Sequence, residues 1–218
     1  MNIWQDDRFA RIPIMLFTGF FLVHEVQGLL GFLAHPPFGW EGTFVAGLAA
    51  RISLLIFLAL LLMFHAIRSQ PKRSATDWGA KLSALFGLTL SNLVLLLPRP
   101  ELDATWMLAS TVLLLLGNYL CIVALFHLGR SLSILAEART LVTHGPYRWV
   151  RHPLYLAEEV AIVGVFLQFM SWPAAAILLL HFASQVARMR HEERVLSATF
   201  PEYADYARRT ARLMPGVW

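Results

Sequence analysis

Residues 105–128 read TWMLASTVLLLLGNYLCIVALFHL, twenty-four positions without one charged side chain. A helix of roughly 20 such residues crosses the hydrocarbon of a bilayer. The run is continuous rather than alternating, which argues against a barrel strand. Towards the N-terminus, comparable apolar runs fall at 12–33, 44–67 and 82–97. Towards the C-terminus come two shorter runs, 154–170 and 173–187, separated by Ser171-Trp172-Pro173. That pair reads as a tight helical hairpin. The expected fold is all-α: a polytopic transmembrane helical bundle of five to six membrane segments, in one domain over residues 1–218. Beyond the hairpin, residues 188–196 continue the last helix out of the membrane. Pro201 then restarts a helix, because proline is tolerated in a first turn. Phe200, Tyr203, Tyr206 and Ala207 line one face of this amphipathic tail, which is expected on the connector before the hairpin or on the lipid surface.

Composition agrees. The chain is 57% hydrophobic and 15% charged, with a mean hydropathy of +0.58, far from the balance of a soluble domain. Its net charge of +4 does not point to nucleic acid, because the basic residues cluster between apolar runs. If six segments alternate, every Lys and Arg except Arg51 and Arg99 falls on one side. By the positive-inside rule that side is cytoplasmic, with both termini and the connector 129–152. Asp6 and Asp7 spoil a signal peptide's positive n-region, so the first run is expected to remain as a membrane helix. Cys121 is the only cysteine, which rules out a disulfide within the chain and makes it a small buried hydrophobe.

The chemistry gathers where the connector meets the hairpin. Gly145-Pro146-Tyr147-Arg148-Trp149-Val150-Arg151-His152-Pro153-Leu154-Tyr155 joins a polar segment to an apolar one. Pro153 is a helix-start signal. His152 and Tyr155, three apart, share a face, and Tyr147 and Trp149 add aromatic planes, a set suited to an adenine ring. After the hairpin, Arg188 and Glu192 stand four apart on one helical face. They read either as a surface ion pair or as a carboxylate for a cofactor ammonium beside a cation for the substrate. Glu193 competes for the same role. Glu158 and Glu159 fall about one turn inside the membrane edge, where a carboxylate must be paired, protonated or turned to a polar cavity. The alternatives are an interfacial pair with Arg151 or Arg148, and a substrate-selecting acid or base. Glu25, with His24 and Gln27, poses the same question in the first run. Asn118 and His127 read as structural polar contacts.

The ordered set Arg139-Thr140-Leu141-Val142, Gly145-x-Tyr147, Arg151-His152-Pro153-x-Tyr155, Arg188-x-x-x-Glu192-Glu193 and Phe200-x-x-Tyr203 resembles the isoprenylcysteine carboxyl methyltransferase superfamily of integral membrane methyltransferases, with which phospholipid methyltransferases share the later elements. The resemblance implies methyl transfer from S-adenosylmethionine to a lipophilic acceptor drawn from the bilayer, such as the carboxylate of an isoprenylcysteine. It implies that Thr140, Leu141, Val142, Tyr147, His152, Pro153, Leu154 and Tyr155 contact the cofactor, that Glu192 binds its amino-acid end, and that Arg188 lies on the substrate side. Residues 105–218 would then form the cofactor-binding half, and residues 1–104 would shape the acceptor's pocket. The chain departs from the family pattern at Leu132, Arg139 and Ala157. It departs most at Glu158 and Glu159, where apolar or aromatic residues are usual. Of the candidates, Arg188, Glu158 and Glu159 are those expected to act on the acceptor. Two readings of other kinds stay open: a haem- or metal-bearing membrane protein using His24, His65 or His127, and a lipid-binding relative without activity.

Overall fold

A computed structural model describes residues 7–35, 43–98 and 100–216. The protein is an all-α polytopic bundle. Its helices are α1 Asp7–Ala34, α2 Thr43–Ile67, α3 Trp78–Leu93, α4 Ala104–Leu128, α5 Pro153–Gln168, α6 Trp172–Ser197 and α7 Tyr203–Arg209. Among the described residues three spans are long and apolar enough to cross a membrane: Arg11–Ala34, Phe44–Ile67 and Ala104–Ser131. Helices α3 and α5 have 16 residues each, or roughly 24 Å of rise. The chain termini expected on the cytoplasmic side, residues 1–6 and 217–218, lie outside the described residues.

Local chemistry sets the helix ends. Asp77 caps α3 by accepting from Ala80 N at 2.8 Å. Asp103 caps α4 through Thr105 N and Trp106 N, and Ser171 caps α6 through Ala174 N. These side-chain oxygens satisfy amide groups that a helix start leaves bare. Pro153 opens α5. Pro201 does not open α7: it sits in a turn with Glu202, and the helix begins at Tyr203.

The tightest seam joins α4 to α5. A Cβ on Gly117 would lie 2.5 Å from Ala161 N, and one on Gly164 would lie 2.9 Å from Ser110 O. Small residues here let the two backbones touch, the usual solution where lipid offers no hydrophobic drive to helix association. Ser110 Oγ donates to Gly164 O at 2.8 Å and accepts from Gln168 Nε2 at 3.0 Å. Cys121 is buried at the same seam, as expected of a small hydrophobe. Asn118 reaches from α4 to Ser53 Oγ of α2 at 2.9 Å. Glu25 of α1 pairs with Arg51 of α2 at 2.9 Å, so the acid in the first helix has a structural partner.

The basic segments meet at one end of the bundle. Arg11 donates to Ala66 O and Arg68 O, Ser69 N to Arg130 O, and Arg73 to Ala198 O. The two-residue strands β1 Arg73–Ser74 and β2 Glu137–Ala138 pair antiparallel there. On this end α7 buries Tyr203 and Tyr206 against Ala80, Ala136, Ala138, Val195 and Phe200. The aromatic tail therefore packs on the connector.

Candidate active site at the connector and hairpin

The connector is held in place by the strap that follows α7. Arg151 N donates to Ala211 O, His152 N to Arg212 O, and Ala211 N to Trp149 O. The Arg151 guanidinium donates to Ala207 O at 2.8 Å and also to Thr210 O. Tyr206 OH donates to Tyr147 O at 2.7 Å. Gly145 has φ +59, and a Cβ there would fall 2.0 Å from Cδ2 of His127. Only glycine suits both the left-handed backbone and the imidazole packed against it. His127 itself bonds Val123 O at 2.8 Å, a structural contact.

Glu193 is the fastening of this end. It accepts from Arg151 Nε at 2.8 Å, from Arg212 Nε and Nη2 at 3.0 and 2.6 Å, and lies 3.2 Å from His152 Nε2. Desolvation works to raise its pKa, but the hydrogen bonds from His152, Arg212 and Arg151 outweigh it and hold the carboxyl well below the usual range. The same pairing raises Arg212. Glu193 is thus fully engaged in structure, and Glu192 is the carboxylate left facing the aromatic cluster.

That cluster centres on Tyr155. Its hydroxyl donates to Glu192 Oε2 at 3.1 Å. The His152 ring lies 5.4 Å from its ring, centroid to centroid, and the Arg188 guanidinium carbon sits 4.8 Å from the ring centroid, a cation–π contact. Tyr147 is buried beside them, and burial pushes its phenol well up. Arg188 and Glu192 do not form the surface ion pair that their spacing allows. Arg188 is buried, and its Nη1 donates to Gln185 Oε1 at 2.6 Å and its Nη2 to Ile134 O at 3.3 Å. Gly87 of α3 makes room for it: a Cβ there would lie 2.9 Å from Nη1.

Glu158 and Glu159 are not paired with Arg151 or Arg148. Arg151 is taken by Glu193, and Arg148 stacks on the exposed Trp149 at 4.4 Å. Glu158 Oε2 accepts from Gln185 Nε2 at 2.7 Å. Glu159 Oε1 lies 3.0 Å from Nδ1 of His181, which is 2% exposed. The two acids are turned towards α6 because α6 presents a polar stripe, His181, Gln185, Arg188 and Glu192, at helical spacing. Gln185 and His181 are not among the residues expected from the sequence; their spacing within an apolar run is the signal that marks them.

Of the other expected cofactor contacts, Pro153 is buried at the start of α5, Thr140 is exposed, and Val142 is half-buried. Leu141 packs against the Tyr203 cluster and Leu154 against Phe64, Leu125 and Leu132. The structure therefore gathers Tyr147, His152, Tyr155, Arg188 and Glu192, while Leu141 and Leu154 pack into the neighbouring apolar clusters. A separate groove of about 580 Å³ lies on the outer face of the strap, lined by Arg148, Trp149, Arg208 and Arg209. Its arginines are engaged with Trp149 and Asp205. Among the described residues no three His, Cys, Asp or Glu side chains are arranged to hold a metal ion.

Residues 109–198 match the isoprenylcysteine carboxyl methyltransferase (ICMT) family. The chain is 40% identical over 126 residues to the cobalt-zinc-cadmium resistance protein CzcN of Cupriavidus metallidurans, covering 56% of each chain. It is 28% identical over 192 residues to a probable protein-S-isoprenylcysteine O-methyltransferase of Oryza sativa, covering 78% of this chain and 100% of that one. It is 30% identical to the protein-S-isoprenylcysteine O-methyltransferase of Rattus norvegicus over 148 residues, 63% of this chain and 50% of that one. The chain spans a little over half the length of the metal-resistance relative. The matched stretch runs from α4 through the connector and both arms of the hairpin, and over it the chain is similar to the isoprenylcysteine carboxyl methyltransferase family.

Proposed function

We propose that the protein is an integral membrane methyltransferase that uses S-adenosylmethionine and acts on a lipophilic acceptor taken from the bilayer. One observation carries this reading. Tyr155 is held between a carboxylate and a guanidinium, with Glu192 on its hydroxyl and Arg188 over its ring. The donor set fits the cofactor. Glu192 is partly exposed and has capacity for an ammonium, Tyr147 and Tyr155 offer aromatic walls, and the Arg188 Nε is buried without a hydrogen-bond partner. When bound, S-adenosylmethionine supplies a methyl group already activated by the charge on its sulfur.

The chain's own task is then alignment. Glu192 and the Tyr155 hydroxyl would fix the amino-acid end. The strap and Glu193 hold His152 and the connector rigid around it. Arg188, anchored through Gln185 and Ile134 O, faces the acceptor side. The exposed apolar surfaces of α1, α2 and α4 suit immersion in lipid, with lateral entry of the acceptor. The end where the basic segments meet is assigned to the cytoplasm.

Calorimetry with S-adenosylhomocysteine on the detergent-solubilised chain tests the reading. Saturable binding is expected, weakened at least about tenfold in Glu192→Gln by loss of a charge-assisted contact. Absence of binding to the wild-type chain overturns it. Labelled methyl transfer to native membrane lipids, followed by mass spectrometry, then identifies the product.

A further inference from the structure

We propose that the groove on the outer face of the strap binds the headgroup of an anionic phospholipid, and that the bound headgroup clamps the strap onto the connector. The proposal is independent of the methyltransferase reading, because neither the cofactor nor an acceptor enters it.

The groove joins segments that are far apart in sequence. Arg148 and Trp149 come from the connector, Arg208 and Arg209 from the end of α7, and Thr210 and Ala211 from the strap. Its volume of about 580 Å³ falls within the range of small-ligand sites, roughly 300–1,000 Å³. Three arginines line it, and the one acid that contacts them is Asp205. Their existing contacts leave phosphate-binding edges unused. Arg148 sits over the Trp149 ring at 4.4 Å and has no hydrogen bond or ion pair among the described residues. Arg209 uses only Nε, which donates to Asp205 O at 3.2 Å. Arg208 gives Nη2 to Asp205 in an exposed pair, a contact of little strength. A guanidinium fork holds a phosphate by two parallel N–H bonds. Arg148 and Arg209 each keep a fork without a partner among the described residues, one from each side of the junction between connector and α7.

The tryptophan decides for a lipid over a free anion. Trp149 is 62% exposed and stands four residues before Pro153, where α5 begins. The same arrangement recurs at Trp78, the first residue of α3, which is 74% exposed and carries Lys81 at 5.1 Å over its ring. Two exposed tryptophans, each with a cation on its ring, thus mark the starts of two helices at the end where the basic segments meet. An indole with an apolar body and a polar N–H is a residue of the headgroup layer. An anionic phospholipid supplies a phosphodiester for the forks and apolar surface for the ring. Inorganic phosphate supplies only the first. A zwitterionic headgroup brings an ammonium among three arginines, where like charges repel.

The clamp follows from what the strap already holds. Ala211 O accepts from Arg151 N, Ala211 N donates to Trp149 O, and Thr210 O accepts from the Arg151 guanidinium. The residues that line the groove are therefore the ones that bind strap to connector. A phosphodiester shared by Arg148 and Arg209 adds a bridge alongside these bonds. Lifting the strap then requires release of the lipid, so the bound lipid favours the closed arrangement.

The test uses the full chain in detergent, titrated with phosphatidylglycerol and phosphatidylcholine of the same acyl chains and read by native mass spectrometry. Phosphatidylglycerol should bind at least about tenfold more tightly. The double variant Arg148→Gln/Arg209→Gln should lose that preference. Lys81→Gln/Arg190→Gln, which removes the same charge from α3 and α6 outside the groove, should keep it. Inorganic phosphate should not displace the lipid. The clamp is read by hydrogen exchange in discs of phosphatidylcholine with and without phosphatidylglycerol. The amides of Arg151, His152 and Ala211 should exchange at least about tenfold more slowly when phosphatidylglycerol is present. Equal binding of the two lipids to the wild-type chain overturns the site, whether or not the variants fold. So does a preference that survives in Arg148→Gln/Arg209→Gln, or one lost equally in the control pair, which would mean diffuse charge rather than a groove. Displacement by inorganic phosphate overturns the lipid assignment in favour of a free anion. Exchange that is the same in both discs overturns the clamp.

Discussion

Glu193 accepts the Nε–H of Arg151 at 2.8 Å across 42 residues of sequence, and through this pair the last helix is fastened to the connector that begins the hairpin. Arg212 closes the same carboxylate from the strap. The expected result of Glu193→Gln is loss of stability on the order of 2 kcal/mol, below the value for a fully buried pair because the side chains are 13–20% exposed. The pH dependence has a definite sign. The folded-state pKa of Glu193 is depressed, so its contribution is present above the ordinary carboxylate value of about 4.3 and is lost as pH falls below it. Thermal unfolding in detergent should show a wild-type advantage over Glu193→Gln at pH 7 that shrinks below about pH 4. A difference in melting temperature that is constant with pH would mean the carboxylate's charge is not what matters.

Two glycines separate backbone strain from crowding. Gly129 and Gly145 both have positive φ, +51 and +59, but a Cβ on Gly129 meets nothing within 4 Å while one on Gly145 would overlap His127. Alanine at 129 should cost about 1 kcal/mol for the left-handed backbone alone. Alanine at 145 should cost at least about 1 kcal/mol more, because the imidazole must move from a packed position. Measuring both melting temperatures in one detergent checks this. Equal losses would show that His127 yields freely.

Much of this was legible from residue patterns, for physical reasons. Membrane helices announce themselves by unbroken apolar runs, so each of the six apolar runs falls on an observed helix, although only three of the described spans are long and apolar enough to cross a membrane. The sharp start of α5 at Pro153 was readable because proline removes a donor that a first turn does not need. The pairing of acids with bases was not readable. Arg188 and Glu192 are correctly spaced for one another, yet tertiary packing offers Arg188 the Tyr155 ring and Gln185, and gives Tyr155 to Glu192. Spacing along one helix shows which residues share a face. It does not show what the next helix brings to that face, which is why Gln185 is not among the residues expected from the sequence.

The clustering of basic segments at one end makes a topological prediction that avoids the chain ends. Reporter fusions after Thr76, beside β1, and after Glu101, just before α4, should give opposite signals, with Thr76 cytoplasmic. The two positions are separated by α3, a helix of only 16 residues. Like signals would mean that α3 does not cross the bilayer and would remove it from the segment count.

The last prediction concerns Gly87, which forms the floor under Arg188. A Cβ at this position would lie 2.9 Å from Nη1 and 3.0 Å from Cδ of Arg188. The guanidinium has little room to retreat, with Tyr155 on one side and hydrogen bonds to Gln185 and Ile134 O holding its ends. Gly87→Ala should therefore displace Arg188 rather than unfold α3, since alanine is a better helix former than glycine by up to about 1 kcal/mol. The three atoms nearest a Cβ at Gly87 all belong to Arg188, so affinity for S-adenosylhomocysteine should stay within severalfold. Methyl transfer to the acceptor should fall at least about tenfold, or roughly 1.4 kcal/mol of transition-state stabilisation. Arg188→Lys should show the same split, because an ammonium cannot bridge Gln185 and Ile134 O with a planar fork. Combining the two substitutions distinguishes displacement of Arg188 from a separate effect on α3. If Gly87 acts only through Arg188, the double variant is no worse than Arg188→Lys alone, a non-additivity expected of residues in contact. Additive losses would show that Gly87 supports the site by another route, and normal transfer in Gly87→Ala would show that the position of Arg188 is not critical.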